Sequence, residues 1–214
     1  MRFKAGIVFS LALMGIFHAA GAALAAPLQL VAFGDSLMAG YELPAGDAYP
    51  AKLEAALKKA GVDVTITNGA VSGDTTADGL ARLDWTIPDG TDGVLLELGA
   101  NDALRGLDPV ATRKNLDAMI ARLQERGISV LLFGMMAPPN MGQGYADTFN
   151  SAYPELAKAR NVPLYPFFLD GVIAESGLKL KDGMHPNAEG VDRLVEKTLP
   201  VVKTFLGSIK PRAK

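Results

Sequence analysis

The sequence predicts an α/β domain in which a parallel sheet of about five strands is wrapped by helices on both faces. Three observations carry that prediction. Short apolar runs rich in strand formers alternate with amphipathic helical stretches, which is the pattern of strands joined by helical crossovers. The first three runs pass directly into Gly34-Asp35, Asn68-Gly69 and Gly99-Ala100-Asn101, residues that end strands and turn chains. No internal repeat, low-complexity segment or linker interrupts the alternation, so a single domain accounts for it.

Ahead of that domain lies a segment of different character. Arg2 and Lys4 form a basic start, Ala5 to Ala20 is apolar apart from Ser10 and His18, and Ala23-Leu24-Ala25 has the small-x-small form of a cleavage site. This reads as a secretory signal peptide spanning residues 1–25, cleaved after Ala25 and leaving 26–214 as the domain. The competing reading is an uncleaved anchor, because the apolar stretch approaches the ~20 residues of a membrane span. The Ala-rich end favours cleavage, so the expected location is periplasmic or secreted, with no stable membrane anchor afterwards.

The elements follow in order. Leu28–Phe33 is the first strand, and the loop from Leu37 to Tyr49 holds Gly40, Pro44 and Gly46. Pro50 opens a helix over Ala51–Ala60, since its missing N–H is not needed in a first turn. Leu53, Ala56, Leu57 and Ala60 share one face and Gly61 stops it. Val62–Thr67 alternates as a second strand, followed by a small-residue loop to Thr75 and a short helix through Leu83. Gly93–Leu98 is the third strand. Asp108-Pro109 starts a helix whose apolar face carries Leu116, Met119, Ile120 and Leu123 up to Gly127. Ile128–Phe133 is the fourth strand, Ala146–Arg160 a helix and Val162–Tyr165 a short fifth strand. Ala188 opens the final helix, with Pro200 as a point where it breaks.

Composition narrows the function. The 214-residue chain contains no cysteine, which excludes disulfides, thiolate catalysis and Cys-ligated metals. Its formal charge is −2 and becomes more negative once Arg2 and Lys4 are removed. A nucleic-acid partner is therefore not expected, because that role needs a basic face. The basic end Lys210-Pro211-Arg212-Ala213-Lys214 reads as a solvated tail.

The residues that can carry chemistry fall at strand ends. Ser36 follows strand one, Gly73 follows strand two, Asn101 follows strand three, and Asp182 and His185 precede the last helix. In a parallel sheet these positions share the carboxyl edge, where open α/β sheets place their ligands. A serine needs an adjacent base to act as a nucleophile. His185 is the only histidine outside residues 1–25. Asp182, three residues earlier, is spaced to reach the imidazole Nδ1–H in a helical turn and leave Nε2 for the serine proton. The backbone N–H groups of Ser36 and Gly73 and the side-chain amide of Asn101 are available as oxyanion donors. Each motif taken alone is more simply a turn or a cap; their joint placement is what points to acyl transfer.

These residues carry a resemblance. Gly34-Asp35-Ser36-Leu37, Gly73 within Asn68–Thr75, Asn101 within Gly99–Asp102, and Asp182-Gly183-Met184-His185 resemble the four blocks of the SGNH hydrolases, the GDSL lipase/esterase superfamily. Phe33–Tyr41, Leu96–Gly106, Val162–Phe168 and Asp182–Asn187 are similar to the bacterial periplasmic thioesterase I/lysophospholipase/arylesterase group. The resemblance implies a flavodoxin-like three-layer α/β/α fold. It implies Ser36 as nucleophile, His185 as base and Asp182 as orienter, with Ser36, Gly73 and Asn101 as the oxyanion hole. It implies hydrolysis of carboxylic esters and thioesters, lysophospholipids among them, with no metal or cofactor. The group usually has glycines where this chain has Ala100 and Ala103, so added methyls are expected beside the oxyanion hole.

The loop Met135–Tyr145 corresponds in that group to a mobile, substrate-contacting segment. Met136, Met141 and Tyr145 offer adaptable apolar surface for an acyl chain, and Gly142 and Gly144 allow hinging. Trp85 and Phe167-Phe168 read as core. Glu97, inside an apolar strand, reads as a structural acid that must be satisfied where it is buried. Two alternatives stand beside the ester hydrolase. A carbohydrate O-acetyl esterase is disfavoured by the Met-rich loop and the lack of an aromatic sugar platform, and a non-catalytic binding module by the presence of every catalytic group.

Overall fold

The computed structural model describes residues 26–209 together with Met1. The segment expected to be a signal peptide and the basic tail therefore lie outside the described residues. Five strands, β1 (Leu28–Phe33), β2 (Val64–Asn68), β3 (Gly93–Glu97), β4 (Ser129–Phe133) and β5 (Leu164–Tyr165), form one sheet in the order β2-β1-β3-β4-β5. Every pairing is parallel. This order is the flavodoxin-like doubly wound arrangement, with its switch point between β1 and β3.

Seven helices complete the described fold: α1 (Ser36–Ala39), α2 (Tyr49–Lys59), α3 (Thr76–Thr86), α4 (Ala100–Leu104), α5 (Pro109–Glu125), α6 (Gln143–Arg160) and α7 (Ala188–Ser208). Helix α2 packs with α7, and α5 with both α3 and α6, so two helical layers enclose the sheet. The central strands are buried on both faces: Val94, Leu95, Leu96, Leu131, Leu132 and Phe133 are all fully covered. Each such large apolar side chain removed from water contributes ~1.5–3 kcal/mol before the entropy of ordering is set against it. Among the described residues no helix is long and apolar enough to cross a membrane.

The helix boundaries follow local chemistry. Thr75 and Asp78 form a reciprocal capping box at the start of α3, satisfying donors that have no partner inside the helix. Asp108 caps α5 through the Val110 N–H, with Pro109 in its first turn. Helix α6 begins three residues earlier than its apolar pattern suggests, directly after Gly142 at φ +81°. Helix α7 continues through Pro200 without the expected break. Pro200 is exposed and so is Glu196 one turn before it, so water can take the carbonyl that the missing N–H leaves free.

Trp85 is not core. It is 92% exposed, because α3 buries Thr76, Gly79 and Leu83 and a residue two positions beyond Leu83 points to the opposite side. Phe168 is buried, as expected, and its ring meets Phe133 and Tyr49 edge-on.

Candidate active site

The site forms at the switch point. Strand β1 ends in Gly34-Asp35 and the chain turns into α1, a single helical turn capped by Asp35, whose Oδ1 accepts the Leu37 N–H at 3.0 Å. Gly40, at φ +80°, closes that turn. Ser36 therefore stands at a strand-to-helix corner, where the leading N–H groups have no partner within the helix.

Facing it is the loop before α7. An antiparallel bridge between Lys179 and Pro186 closes this loop, and the Leu180 N–H donates to the His185 carbonyl at 2.8 Å. Asp182 and His185 are joined by a side-chain turn, not the helical turn expected from their spacing. Asp182 Oδ1 accepts the N–H groups of Met184 (2.9 Å) and His185 (3.0 Å), while Oδ2 contacts His185 Nδ1 at 2.6 Å. The Met184 N–H bond and the His185 contact lead the causes that hold the Asp182 carboxyl down to about 2. An ionised carboxylate only accepts, so Nδ1 carries the proton and Nε2 has a free lone pair. His185 Nε2 lies 2.8 Å from Ser36 Oγ. The Tyr41 ring rests on the imidazole, centroid to centroid 4.4 Å, a contact for which the spacing in the sequence gives no signal.

The remaining polar residues approach from β2 and β3. Gly73 lines the cavity at φ +90°, a conformation open to glycine at little cost. Asn101 sits in the first turn of α4 and its Nδ2 donates to the Asp74 carbonyl (2.9 Å) and to Asp35 Oδ2 (3.2 Å). Asp102 anchors that short helix from below. Its carboxylate accepts from the Thr76 N–H (2.8 Å) and from the hydroxyls of Thr76 (2.5 Å) and Thr112 (3.0 Å).

Beneath the nucleophile turn lies a buried acid pair. Glu97 is fully buried; its Oε2 accepts the Asp35 N–H at 3.3 Å and its Oε1 has no hydrogen-bond partner. The expectation of a fully satisfied acid is thus only half met. Burial, reinforced by the neighbouring Asp35, holds the Glu97 carboxyl well above its usual range. Burial likewise raises Asp35 to about 7.

A cavity of about 750 Å³ opens over Ser36 and His185. Leu104, Met136, Phe167, Leu169 and Ile173 form much of its wall, which makes it a largely apolar receptacle. Met136 lines it and is 52% exposed. Met141 and Tyr145 do not line it. Met141 belongs to a short 3-10 turn at Pro139–Met141. The Tyr145 hydroxyl donates to the Leu107 carbonyl at 2.9 Å and its ring stacks on Phe149. Gly144 is helical, within α6. Phe167, read as core, lines the cavity instead. Of the two added methyls, Ala100 borders the cavity while Ala103 is buried in the core. Among the described residues no group of three or more His, Cys, Asp or Glu is placed to hold a metal ion.

A flavodoxin-like fold with a hydrogen-bonded Ser, His and Asp at its switch point, beneath an apolar cavity, defines a class: the carboxylic ester hydrolases. The chain belongs to the GDSL-like Lipase/Acylhydrolase family, whose sequence profile matches residues 32–193. It is 43% identical over 182 residues to an arylesterase of Vibrio mimicus, covering 85% of this chain and 91% of the relative. It is 36% identical over 183 residues to the thioesterase 1/protease 1/lysophospholipase L1 of Escherichia coli K12, covering 83% and 86%. The crystal structure of AlinE4, an SGNH-hydrolase family esterase, superposes with a TM-score of 0.71 at 46% identity, covering 84% of this chain and 97% of that one.

Proposed function

We propose that the protein hydrolyses carboxylic esters and thioesters through an acyl-enzyme on Ser36. The observation that carries this reading is the continuous series from Ser36 Oγ to His185 Nε2 (2.8 Å) and from His185 Nδ1 to Asp182 (2.6 Å), open to the apolar cavity. His185 Nε2 takes the hydroxyl proton as Ser36 Oγ bonds to the substrate carbonyl carbon, and Asp182 stabilises the imidazolium that forms. The negative charge moves to the former carbonyl oxygen, where the Ser36 and Gly73 N–H groups and the Asn101 amide receive it. Asn101 does so by sharing the longer of its two bonds, the 3.2 Å one to Asp35. Collapse of this intermediate breaks the bond to the leaving alcohol or thiol, which departs with the proton from His185. Water, deprotonated by the same imidazole, then releases the acid and restores Ser36.

The apolar wall suits an acyl or aryl group, which supports aryl esters, acyl thioesters and lysophospholipids as substrates, in keeping with the names of the relatives. It gives no support to a carbohydrate O-acetyl esterase, which needs polar groups to hold a sugar. Met136 and Phe167 supply acyl contacts; Tyr145 acts behind them, its hydroxyl tying the start of α6 to the Leu107 carbonyl. The signal-like segment 1–25 and its Ala23-Leu24-Ala25 site support export, cleavage after Ala25 and a periplasmic or secreted domain 26–214; the mass of the exported protein tests this.

The activity is tested with p-nitrophenyl esters from acetate to palmitate, using wild type and Ser36→Ala. Wild type is expected to turn over and the variant to lose ~10³-fold or more, as removal of a nucleophile does. Equal inertness of both proteins, with no labelling by a fluorophosphonate, would remove the hydrolase reading and leave the binding module.

A further inference from the structure

Arg82, on the second turn of α3, reaches across to both halves of the site. Its Nε donates to Asp74 Oδ2 at 2.5 Å and its Nη1 to the Gly69 carbonyl at 2.6 Å. Nη1 also contacts Thr86 Oγ1 at 3.2 Å, and Nη2 donates to the Gly34 carbonyl at 3.1 Å. The guanidinium carbon sits 4.1 Å from the centre of the Phe33 ring. These acceptors belong to separate pieces of chain. Gly34 lies at the end of β1, two residues before Ser36. Gly69 and Asp74 bracket the loop that carries Gly73.

From these contacts we infer that Arg82 is a positioning residue that fixes the oxyanion loop against the nucleophile turn. The inference rests on the hydrolase reading above. Other bonds also cross between the two segments: the Val71 N–H donates to the same Gly34 carbonyl at 3.0 Å, the Gly69 N–H to the Ala32 carbonyl at 2.8 Å, and Asn68 Nδ2 to the Ala39 carbonyl at 3.2 Å; none of them engages Asp74. Asp74 links the network onward, since its carbonyl accepts from Asn101 Nδ2 at 2.9 Å. One side chain thus sets the relative position of Ser36, the Gly73 N–H and, through Asp74, the Asn101 amide. A planar guanidinium presents donors in a fixed fork that a single ammonium cannot reproduce. Arg82 is only 20% exposed at its side chain, so water competes weakly for these acceptors. Arg82 does not line the cavity, so it acts on the site through these acceptors and not by touching substrate.

Arg82→Lys is the test, read as kcat and KM on a p-nitrophenyl ester of medium chain length and combined with Asn101→Ala in a double-mutant cycle. A donor moved by about 1 Å costs up to ~10²-fold, so kcat is expected to fall ~10- to 100-fold while KM stays within about threefold. A loss of fold stability would act alike in either background. Loss of alignment should shrink several-fold once Asn101 is absent, because part of what Arg82 aligns has already gone. Unchanged kcat, or a fall equal in both backgrounds, overturns the inference. Should Arg82→Lys fail to fold, Asp74→Asn weakens the same fork from its other end, leaves the Thr75–Asp78 cap of α3 in place, and is read by the same cycle and criteria. Wild-type turnover that is lost in Ser36→Ala is the reference; if it is missing, the hydrolase reading falls and this inference with it, whereas activity that ignores Arg82 and Asp74 defeats the inference alone.

Discussion

Replacing Gly99 by alanine should damage stability and turnover together, for reasons that can be separated. Gly99 precedes α4 at φ +122°, a region that L-residues reach only under strain of ~1–3 kcal/mol. A Cβ at this position would lie 2.1 Å from the Tyr153 hydroxyl oxygen and 3.4 Å from its ring carbon Cζ. The hydroxyl must move, and overpacking of this kind costs ~1–3 kcal/mol. That movement also breaks its 3.0 Å bond to the Leu98 carbonyl, worth a further ~0.5–1.5 kcal/mol. The sum, about 2.5–7.5 kcal/mol, is a large part of the ~5–15 kcal/mol that stabilises a typical domain. Asn101 sits two residues on, so a tilt of α4 misplaces its amide and lowers kcat. Tyr153→Phe removes the clashing oxygen and leaves the 3.4 Å contact to its own ring and a 3.5 Å contact to Phe149 Cζ. By itself it should cost about 1 kcal/mol. In combination with Gly99→Ala it should restore ~1–3 kcal/mol, the clash component, and leave the backbone strain. Urea unfolding followed by far-ultraviolet circular dichroism measures all three variants. A Gly99→Ala cost below about 1 kcal/mol refutes the strain argument, and a double variant no more stable than Gly99→Ala refutes the assignment of the clash to Tyr153.

Three further outcomes follow from the same geometry. Asp182→Asn should lower kcat by up to ~10⁴-fold, because an amide at this position favours the wrong imidazole tautomer. Since Asp182 is held down to about 2, its contribution to stability is full above its ordinary value of 3.8 and is lost as pH falls through about 2. Urea midpoints of wild type and Asp182→Asn should therefore converge at the acid end. Asp35 shifts the opposite way: its carboxyl is raised to about 7 by burial, so stability is highest while it is protonated and declines as pH rises from about 4 through about 7. Asp35→Asn should lessen that decline, the remainder being left to Glu97, which burial raises in the same sense, and an unchanged slope between pH 4 and 8 would place its origin elsewhere. Trp85 is the only tryptophan and is 92% exposed. Native fluorescence should already resemble that of the unfolded chain and be readily quenched by acrylamide, and Trp85→Lys should change stability by less than ~0.5 kcal/mol.

The strands and the cluster at their carboxyl ends were legible because both rest on short-range signals. A short apolar run followed by Gly-Asp identifies β1 and its corner without knowledge of any partner. A parallel sheet then brings Ser36, Gly73, Asn101 and the Asp182–His185 turn to one edge, whichever order the strands take. For Trp85 a signal is present and runs against the core expectation: Thr76, Gly79 and Leu83 trace the buried stripe of α3, and Trp85 stands off it. Helical phase, not side-chain size, decides which way it faces. Met141 and Tyr145 carried no such signal. Whether a loop residue faces the cavity or the reverse side depends on where α4 and α5 sit, and the Tyr145 partner Leu107 is 38 residues away.

Glu97 and Arg82 show where local reading ends. Glu97 is a charged residue in an apolar strand, which announces that something must compensate it without saying what does; Arg82, in a helix beside Leu83 and Asp84, carries no such signal. For Arg82 the partners are Gly34 on one side and Gly69 and Asp74 on the other, two stretches distant in sequence and brought together where β1 and β2 pair in register. For Glu97 the compensation is incomplete, since one carboxyl oxygen finds no partner. A neutral carboxyl at Glu97 keeps an unpaired negative charge out from under the site. Ionisation there would add that charge directly beneath Asp35, on the side of the nucleophile turn away from the cavity, where it opposes the oxyanion. Burial, by favouring the neutral form of Glu97, keeps that opposing charge away from the corner where negative charge appears only during reaction.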